Sequence, residues 1–170
     1  GIETDPEKTK AIDEWSTPTD VSQTRSFLGI CGYYRRFIKD YAEVASPLTN
    51  LLRNGIRFKW TAECQQAFET LKAALTTSPM LAMPRATGRF ILDTDASDHA
   101  LGGDLSQEQE DENGRVVERV IAYGSRVLKP SEVNYCVTRR EVLLVVVFLS
   151  RYRQYLLGQT DFLIRTDNSG

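Results

Sequence analysis

The sequence predicts a mixed α/β fold, with a helical first part and an α+β second part. Two patterns predict this fold. As far as residue 79, apolar residues recur every three or four positions, which is typical of helices with one buried side. From residue 89 they alternate with polar residues, which is typical of strands with one buried face. We therefore expect a helical unit at 1–79, a linker at 80–88 and an α+β unit at 89–170.

Four helices are predicted in the first part from the residues that start them. Asp and Thr side chains accept hydrogen bonds from the free amides of a first helical turn, and proline is tolerated at the first helical position. The fourth helix should end at Ser78-Pro79, because proline is a poor residue for the interior of a helix. The predicted starts are Asp5-Pro6, Asp20, Pro47 and Thr61.

The second part is predicted to contain three antiparallel strands, a helix and a further strand. Thr138 and Glu141 have the spacing of a capping box, so the helix should begin there. The apolar run Val142–Leu149 predicts a helix buried against the sheet. The acidic stretch Glu108–Gly114 is expected to form a hairpin loop. The predicted strands are Arg89–Thr94, Ala100–Ser106, Val117–Tyr123 and Phe162–Thr166.

Composition argues against several classes of protein. The longest apolar run has eight residues, whereas a membrane helix needs about 20, and the start lacks a basic and apolar signal pattern. We therefore expect neither a membrane protein nor a secreted one. The cysteines have no CxxC spacing and there is one histidine, so reduced, mostly buried thiols are expected rather than disulfides or a zinc site. They are Cys31, Cys64 and Cys136.

The net charge of −2 conceals three bands of opposite sign. Residues 22–59 carry seven Lys and Arg against two acids, residues 93–118 carry nine acids against one Arg, and residues 119–165 carry eight Lys and Arg against three acids. A basic surface beside clustered carboxylates suits an enzyme that acts on a polyanion with bound metal ions. The alternative is that the bands are ordinary solvated surfaces.

Two acids end strands of the predicted sheet. Asp95 follows the first strand and Asp167 follows the fourth. If a helix crossover makes these strands parallel neighbours, their ends lie side by side, and Glu141 begins that helix. Three converging carboxylates would form a site for Mg²⁺, which prefers oxygen ligands. Two such ions can activate a water molecule and stabilise the leaving oxygen of a phosphodiester.

Each of these acids also has a purely structural interpretation. Glu141 can be the acid of the capping box, Asp95 can form an Asx turn, and Asp167 can be a turn or cap residue. Asp93 and Asp98 compete with Asp95 as the metal ligand. We rank them second, because Asp93 should point to the opposite side of the strand from the residue after it, and Asp98 lies beyond the strand.

At these residues the sequence resembles a known family. Thr94–Asp98, followed by Leu101-Gly102-Gly103, resembles the first strands of the ribonuclease H domain of gypsy-type LTR retrotransposon Pol polyproteins. Further blocks follow in the family's order, and blocks in the first part resemble the end of the polymerase palm and the thumb of these reverse transcriptases. The later blocks are Tyr123–Leu128, Asn134-Tyr135, Thr138–Leu143, Tyr152–Gly158 and Arg165–Ser169, and the earlier ones are Gly1-Ile2, Asp5–Lys8, Phe27–Gly29, Tyr33–Ile38, Ala45–Thr49 and Phe58 with Trp60, Phe68 and Leu71.

The resemblance implies a reverse transcriptase thumb at 1–79 and an RNase H-like domain at 89–170. It implies hydrolysis of the RNA strand of RNA–DNA hybrids, with Asp95, Glu141 and Asp167 as catalytic residues and as ligands of two Mg²⁺ ions, for which Mn²⁺ can substitute. It also implies an intracellular location, in cytoplasmic particles of the retroelement with the nucleus as the alternative.

The same resemblance implies partners for the helical part. Arg35, Arg36 and Lys39 would lie on the thumb and contact the backbone of the template–primer duplex without reading its bases. Tyr33 and Tyr34 would both be core residues, or one would be core and the other would face the groove. The palm and fingers of the Pol polyprotein would be the protein partners.

The chain departs from the family at two points. No residue matches the family's fourth acid and the palm is absent, so we expect a fragment with a C-terminally truncated RNase H-like domain and little activity alone. Asp104 stands where the family has an apolar residue and should be exposed, paired or neutral, because burying an unpaired carboxylate is costly. The alternative function is an inactive nucleic-acid-binding remnant of a retroelement. An integrase-like transferase fits less well, because the helical part has no place in it.

Overall fold

The computed structural model of the chain describes residues 5–77 and 80–166 and shows a helical first part, as predicted. Side-chain oxygens of Asp5, Asp20 and Thr61 cap three helices, which confirms those predicted starts. The predicted end of the fourth helix at Ser78-Pro79 lies outside the described residues. The helices are α1 (Pro6–Asp13), α2 (Val21–Tyr33), α3 (Tyr41–Val44), α4 (Ser46–Asn50) and α5 (Ala62–Thr76), with a 3₁₀ turn at Arg35–Phe37. The sequence did not predict α3 or this turn.

Aromatic side chains hold the helices together. Phe27 of α2 and Phe68 of α5 are buried, with ring centroids 4.7 Å apart. Trp60 meets the Phe68 ring edge to face, and α1 contributes the buried Ile12 to the same core. Such rings bury large apolar areas, so they account for much of the stability of these short helices. Tyr34 is buried here as well, whereas Tyr33 is exposed.

The second part is built on a five-stranded mixed sheet in the order β3-β2-β1-β5, with β4 paired to β2. β1, β2 and β3 are antiparallel and β5 runs parallel to β1, so the predicted three strands, crossover helix and parallel fourth strand are confirmed. β4 was missed because three residues are too short for an alternating pattern. The strands are β1 (Phe90–Ala96), β2 (Ala100–Glu110), β3 (Val116–Ala122), β4 (Ser125–Val127) and β5 (Phe162–Thr166), and two helices, α6 (Val137–Arg151) and α7 (Arg153–Leu156), precede β5.

Two local predictions in this part are wrong. β2 continues to Glu110, so the loop is shorter than the predicted Glu108–Gly114. The capping box is absent, because α6 begins at Val137 and its N-cap residue makes no side-chain hydrogen bond. α6 does pack against the sheet through the buried Leu144 and Phe148, as predicted, whereas Val142 and Val146 are each about 60% exposed.

The predicted linker is fixed along the sheet by two buried glutamines. The side-chain amide of Gln107 donates to the carbonyl oxygens of Arg85 and Gly88, and its own oxygen accepts from the Arg85 amide at 2.8 Å. Gln109 donates to the Met83 carbonyl at 2.8 Å. Every polar side-chain atom of Gln107 therefore has a hydrogen-bond partner, so its burial leaves no polar group unsatisfied.

The two parts of the chain share packing and hydrogen bonds. Leu81 is fully buried in the core of the helices, against which Val120 and Tyr123 of the sheet side also pack. The Tyr123 amide donates to the Arg36 carbonyl at 3.0 Å, and the Ala42 amide donates to the Ser125 hydroxyl at 2.8 Å. The sheet therefore lies between α6 on one face and the segment from the 3₁₀ turn to α3 on the other.

Among residues 5–77 and 80–166, no helix combines the length and apolar character needed to cross a membrane. The three cysteines are free, as predicted, with Cys31 and Cys64 buried and Cys136 exposed.

Candidate active site

Asp95 lies at the carboxyl end of β1, on the sheet face turned away from α6. Gly102 lies opposite Asp95 in β2. A Cβ atom on the next residue, Gly103, would overlap the ring of Phe148 in α6, whereas one on Gly102 would lie 3.0 Å from Oδ1 of Asp40. Because successive side chains of a strand point to opposite faces, Asp95 shares its face with Asp40.

A cleft of about 300 Å³ opens on this face. It contains four acids and two cations, so its charges are only partly balanced. The charged lining is Lys39, Asp40, Asp93, Asp95, Asp104 and Arg165. How each acid is compensated decides which of them is available to a metal ion or a substrate.

Asp93 is compensated by Arg165. The guanidinium of Arg165 donates to both carboxylate oxygens of Asp93 at 2.6 Å and also binds Glu118. Asp93 does point away from Thr94, as predicted, but Asp95 does too, so the direction of the side chain does not separate the two candidates. Arg165 separates them instead, because it occupies Asp93, whereas Asp95 makes no ion pair with a described residue.

Asp104 is compensated in part by Lys39. The Lys39 ammonium lies 3.6 Å from a carboxylate oxygen of Asp104, whose side chain is 14% exposed. Burial raises the pKa of Asp104 to about 6, Lys39 opposes this rise, and the nearby Asp40 adds to it. The expectation that this carboxylate must be exposed, paired or neutral is therefore met by pairing and by a raised pKa.

Asp40 lines the same cleft as Asp95, and the sequence did not predict this. It is half-buried and takes the left-handed backbone conformation at φ 54°, which is uncommon for a residue other than glycine. Burial raises its pKa, Lys39 opposes the rise, and the negative charges of Asp95 and Glu43 add to it. Nothing in the local sequence distinguishes Asp40 from other surface acids, because its place depends on contacts between distant segments.

Glu141 lies in the first half of α6 and is half-buried. Arg140 lies 3.4 Å from Asp98 in the turn after β1, so the start of α6 is beside the end of the strand that carries Asp95. Asp98 lies beyond the strand, as predicted. Asp167 lies outside the described residues. The elements that carry Asp95 and Glu141 thus meet at one end of the sheet, with α6 on the other face.

The donor chemistry at Asp95 fits a hard divalent cation. Its carboxylate is exposed, and its charge raises the pKa of Asp40, which is the repulsion that a bound cation would relieve. Within the described part of the chain, no three His, Cys, Asp or Glu side chains are already grouped as metal ligands. A complete ligand set therefore requires Asp167 or a rearrangement around Asp95.

The three cations predicted to bind nucleic acid are directed toward the sheet. Arg35 donates to the Ser125 carbonyl at 2.8 Å, and the Arg36 side chain reaches the Ile121 carbonyl at 3.5 Å. Lys39 pairs with Asp104 but is 67% exposed. These contacts join the two parts of the chain, a role that the sequence did not predict. Nucleic-acid contact by these residues stays a prediction.

Comparison with known proteins decides the family. The model of the RNase H-like domain found in reverse transcriptase matches residues 60–164, more than half of the chain. The chain belongs to this family. The match begins in the helical part, just before α5, and ends within β5.

Relatives of this RNase H-like chain are retrotransposon Pol polyproteins. The chain is 41% identical over 179 residues to the retrovirus-related Pol polyprotein from transposon opus of Drosophila melanogaster, covering 99% of this chain and 17% of that protein. It is 35% identical over 156 residues to the Tf2-3 polyprotein of Schizosaccharomyces pombe, covering 91% of this chain and 11% of that one. The chain thus spans less than a fifth of these relatives, and the resemblance to retrotransposon Pol polyproteins is confirmed.

Solved structures support the same fold. The foamy viral protease-reverse transcriptase dRH in complex with ds DNA superposes with a TM-score of 0.78 at 20% identity, covering 96% of this chain and 28% of that one. The same viral protein in complex with RNA/DNA hybrid gives a TM-score of 0.75 at 21% identity, covering 95% and 21%. These likenesses cover both parts of the chain and establish the mixed α/β, RNase H-like architecture.

Proposed function

We propose that this chain is the thumb and RNase H-like part of a retrotransposon reverse transcriptase, and that within the parent Pol polyprotein it hydrolyses the RNA strand of RNA–DNA hybrids. The observation that carries the proposal is the parallel register of β1 and β5, in which Thr94 lies opposite Thr166. In the sequence, Asp95 and Asp167 directly follow these two threonines. Neighbouring strands lie about 4.8 Å apart, a spacing suited to two carboxylates that share a cation.

In this proposal, Asp95, Glu141 and Asp167 hold Mg²⁺, or Mn²⁺ in its place, and two such ions supply an activated water and charge neutralisation at the leaving oxygen. Arg165 withdraws Asp93 from competition for the cation. The hydroxyl of Thr94 donates to the Arg165 carbonyl at 3.3 Å, which helps to keep β5 in register beside β1. The palm and fingers of the Pol polyprotein would supply the polymerase, inside cytoplasmic particles of the element.

The test for the metal site needs no turnover. Titration of the 170-residue chain with Mg²⁺ should shift the amide resonances of residues 94–97 at millimolar metal, and Asp95→Asn should abolish these shifts. Asp98→Asn is the matched control, because Asp98 is an exposed acid three residues away that binds Arg140. Shifts that persist in Asp95→Asn would show that the cation binds elsewhere.

The same pair of variants tests the reaction in the Pol polyprotein. Asp95→Asn should slow Mg²⁺-dependent cleavage of a labelled hybrid by about 100-fold or more, because several kcal/mol of charge stabilisation are lost. Asp98→Asn should cleave at the wild-type rate. If hybrid is bound but millimolar Mg²⁺ perturbs nothing near Asp95, the chain is the nucleic-acid-binding remnant instead, a role that Asp104 in mid-strand favours.

A further inference from the structure

Two guanidinium groups converge on one backbone oxygen at the edge of the sheet. Arg35 Nη2 donates to the Ser125 carbonyl at 2.8 Å, and Arg151 Nη1 donates to the same oxygen at 2.9 Å. Arg35 belongs to the 3₁₀ turn of the helical part, whereas Arg151 is the last residue of α6. The pair therefore exists only when the two parts of the chain are packed together.

Both guanidinium groups are held in place by aromatic rings. The Arg35 guanidinium lies 5.2 Å from the centroid of the Tyr41 ring, and that of Arg151 lies 5.3 Å from the centroid of Phe148. Both arginines are exposed. A guanidinium has five N–H donors, and the Ser125 carbonyl accepts one from each arginine. Neither guanidinium group donates to a second residue in the part of the chain that the structure describes, so the remaining donors are available to a ligand.

The positive charge of this pair is not balanced by a carboxylate. Within residues 5–77 and 80–166, neither Arg35 nor Arg151 forms an ion pair, whereas the adjacent Arg126 is held by Glu132 at 2.9 Å. Burial and then the charge of Arg35 lower the pKa of Arg151. Two like charges held at one acceptor repel each other. An anion between them would be attracted to both guanidinium groups and would offset this repulsion.

We propose that Arg35 and Arg151 together bind one phosphate of the nucleic-acid backbone, which thereby contacts the helical part and the RNase H-like part at the same point. The inference rests on the proposed function, since the phosphate is taken to belong to the RNA–DNA hybrid. Arginine suits this role because its planar fork can donate two parallel hydrogen bonds to phosphate oxygens.

The site is close enough to Asp95 to affect where the backbone is cut. Ser125 lies opposite Gly102, and Gly102 lies opposite Asp95, so the three residues stand abreast on β4, β2 and β1. Two strand spacings are about 10 Å, which is about three base steps along a duplex axis. A phosphate bound by the pair would therefore fix the register of the hybrid a few nucleotides from the scissile bond.

The experiment measures hybrid binding by the 170-residue chain as a function of salt. Arg35→Ala and Arg151→Ala should each weaken binding of the hybrid. In the double variant, the logarithm of the association constant should fall less steeply with the logarithm of the salt concentration, with a slope smaller in size by about 1, because one phosphate contact is lost. Two separate contacts would lower the slope by about 2. Arg115→Ala, an exposed arginine in the β2–β3 loop, is the control and should leave the slope unchanged.

A second measurement changes the hybrid one phosphate at a time and compares positions within one protein sample, so a uniform loss of affinity in a variant does not affect it. Replacing the hybrid's phosphates one at a time by neutral methylphosphonates should reveal one position where wild-type affinity falls and affinity of the double variant does not. Arg35→Lys with Arg151→Lys keeps both charges and should give an intermediate loss, because lysine lacks the fork.

The outcomes separate this inference from the proposed function. If the wild-type chain binds no hybrid, the proposed function fails and the phosphate site fails with it. If it binds hybrid, but the double variant has the wild-type slope or the wild-type methylphosphonate profile, the phosphate site alone is wrong. A slope reduced by about 1 together with a missing methylphosphonate position supports the site.

Discussion

Asp104 experiences two opposing influences, burial beside the sheet and the ammonium group of Lys39. Its pKa is raised from 3.8 to about 6, so between these pH values the folded chain binds more protons at Asp104 than the unfolded chain. Its contribution to the free energy of unfolding is therefore full below about pH 4 and is lost as the pH rises through about 6, by up to about 3 kcal/mol.

Asp104→Asn should remove this dependence. The difference in unfolding free energy between Asp104→Asn and the wild type, measured by urea denaturation, should rise by a few kcal/mol from pH 4 to pH 7.5 in favour of the variant. A difference that stays constant over this range would mean that Asp104 is as well solvated in the folded chain as in the unfolded one.

Gly103 is required by the close approach of α6 to β2. A Cβ atom there would overlap the Phe148 ring, which is fully buried. Gly103→Ala should therefore destabilise the chain by about 1–3 kcal/mol in urea denaturation. Gly29→Ala is the matched control, because nothing lies within 4 Å of that Cβ position in α2, and alanine is the better helix former. Equal effects of the two changes would contradict the packing argument.

The candidate site shows which residues a sequence can predict. The position of Asp95 at the carboxyl end of β1 was predictable, because the acid comes at the end of an apolar strand pattern. Asp40 and the pairing of Asp93 with Arg165 were not, because they depend on which distant segments pack together. Asp93 and Asp95 lie on one face because alternate residues of a strand point to the same side. Side-chain direction therefore does not favour Asp95 over Asp93.

Helix starts illustrate the same limit for whole elements. The Asp20 side chain accepts a hydrogen bond from the Gln23 amide at 2.8 Å, as its position before the apolar repeat predicts. Thr138 has equally good spacing to Glu141, yet α6 starts at Val137. Local spacing does not decide the start of a helix whose position is set by packing on the sheet.

Removing these two side chains should therefore have unequal effects. Asp20→Ala should cost about 1 kcal/mol of unfolding free energy, because a first-turn amide loses its acceptor. Thr138→Ala should change it by less than about 0.5 kcal/mol, because Thr138 is exposed and is not the N-cap residue. Urea denaturation of both variants provides the measurement. A loss of about 1 kcal/mol of unfolding free energy in Thr138→Ala would show that Thr138 does cap α6, as the capping box predicts.

The predicted bounds are right for β5 but end too early for β2. β5 lies at Phe162–Thr166, as predicted, because turn-forming residues precede and follow a short apolar run. β2 extends to Glu110 although its last residues are polar, since Gln107 and Gln109 are buried by bonds to the segment at 80–88. A polar residue at an inward position of a strand suggests a loop as long as its hydrogen-bond partners are not known.

At the scale of the whole molecule, the helical part and the sheet form one packed body. Leu81 lies in the core of the helices, and the hydrogen bonds that Arg35 and Ala42 make with Ser125 cross from one part to the other. The sequence predicts two separate parts, because their periodicities differ. Periodicity reports how each element is buried and carries no information about which elements bury one another.

A single cavity in the helical core should therefore weaken the sheet. Leu71 is fully buried among the helices, and Leu71→Ala should cost about 2–5 kcal/mol. If the chain unfolds as one unit, native-state hydrogen exchange of the β1 amides should show the same loss of protection as the α5 amides. Val146→Ala, on the exposed side of α6, is the control and should change neither set. Unchanged β1 protection in Leu71→Ala would show that the sheet unfolds independently, and the Arg35–Arg151 pair would then lack the rigid frame that its ligand requires.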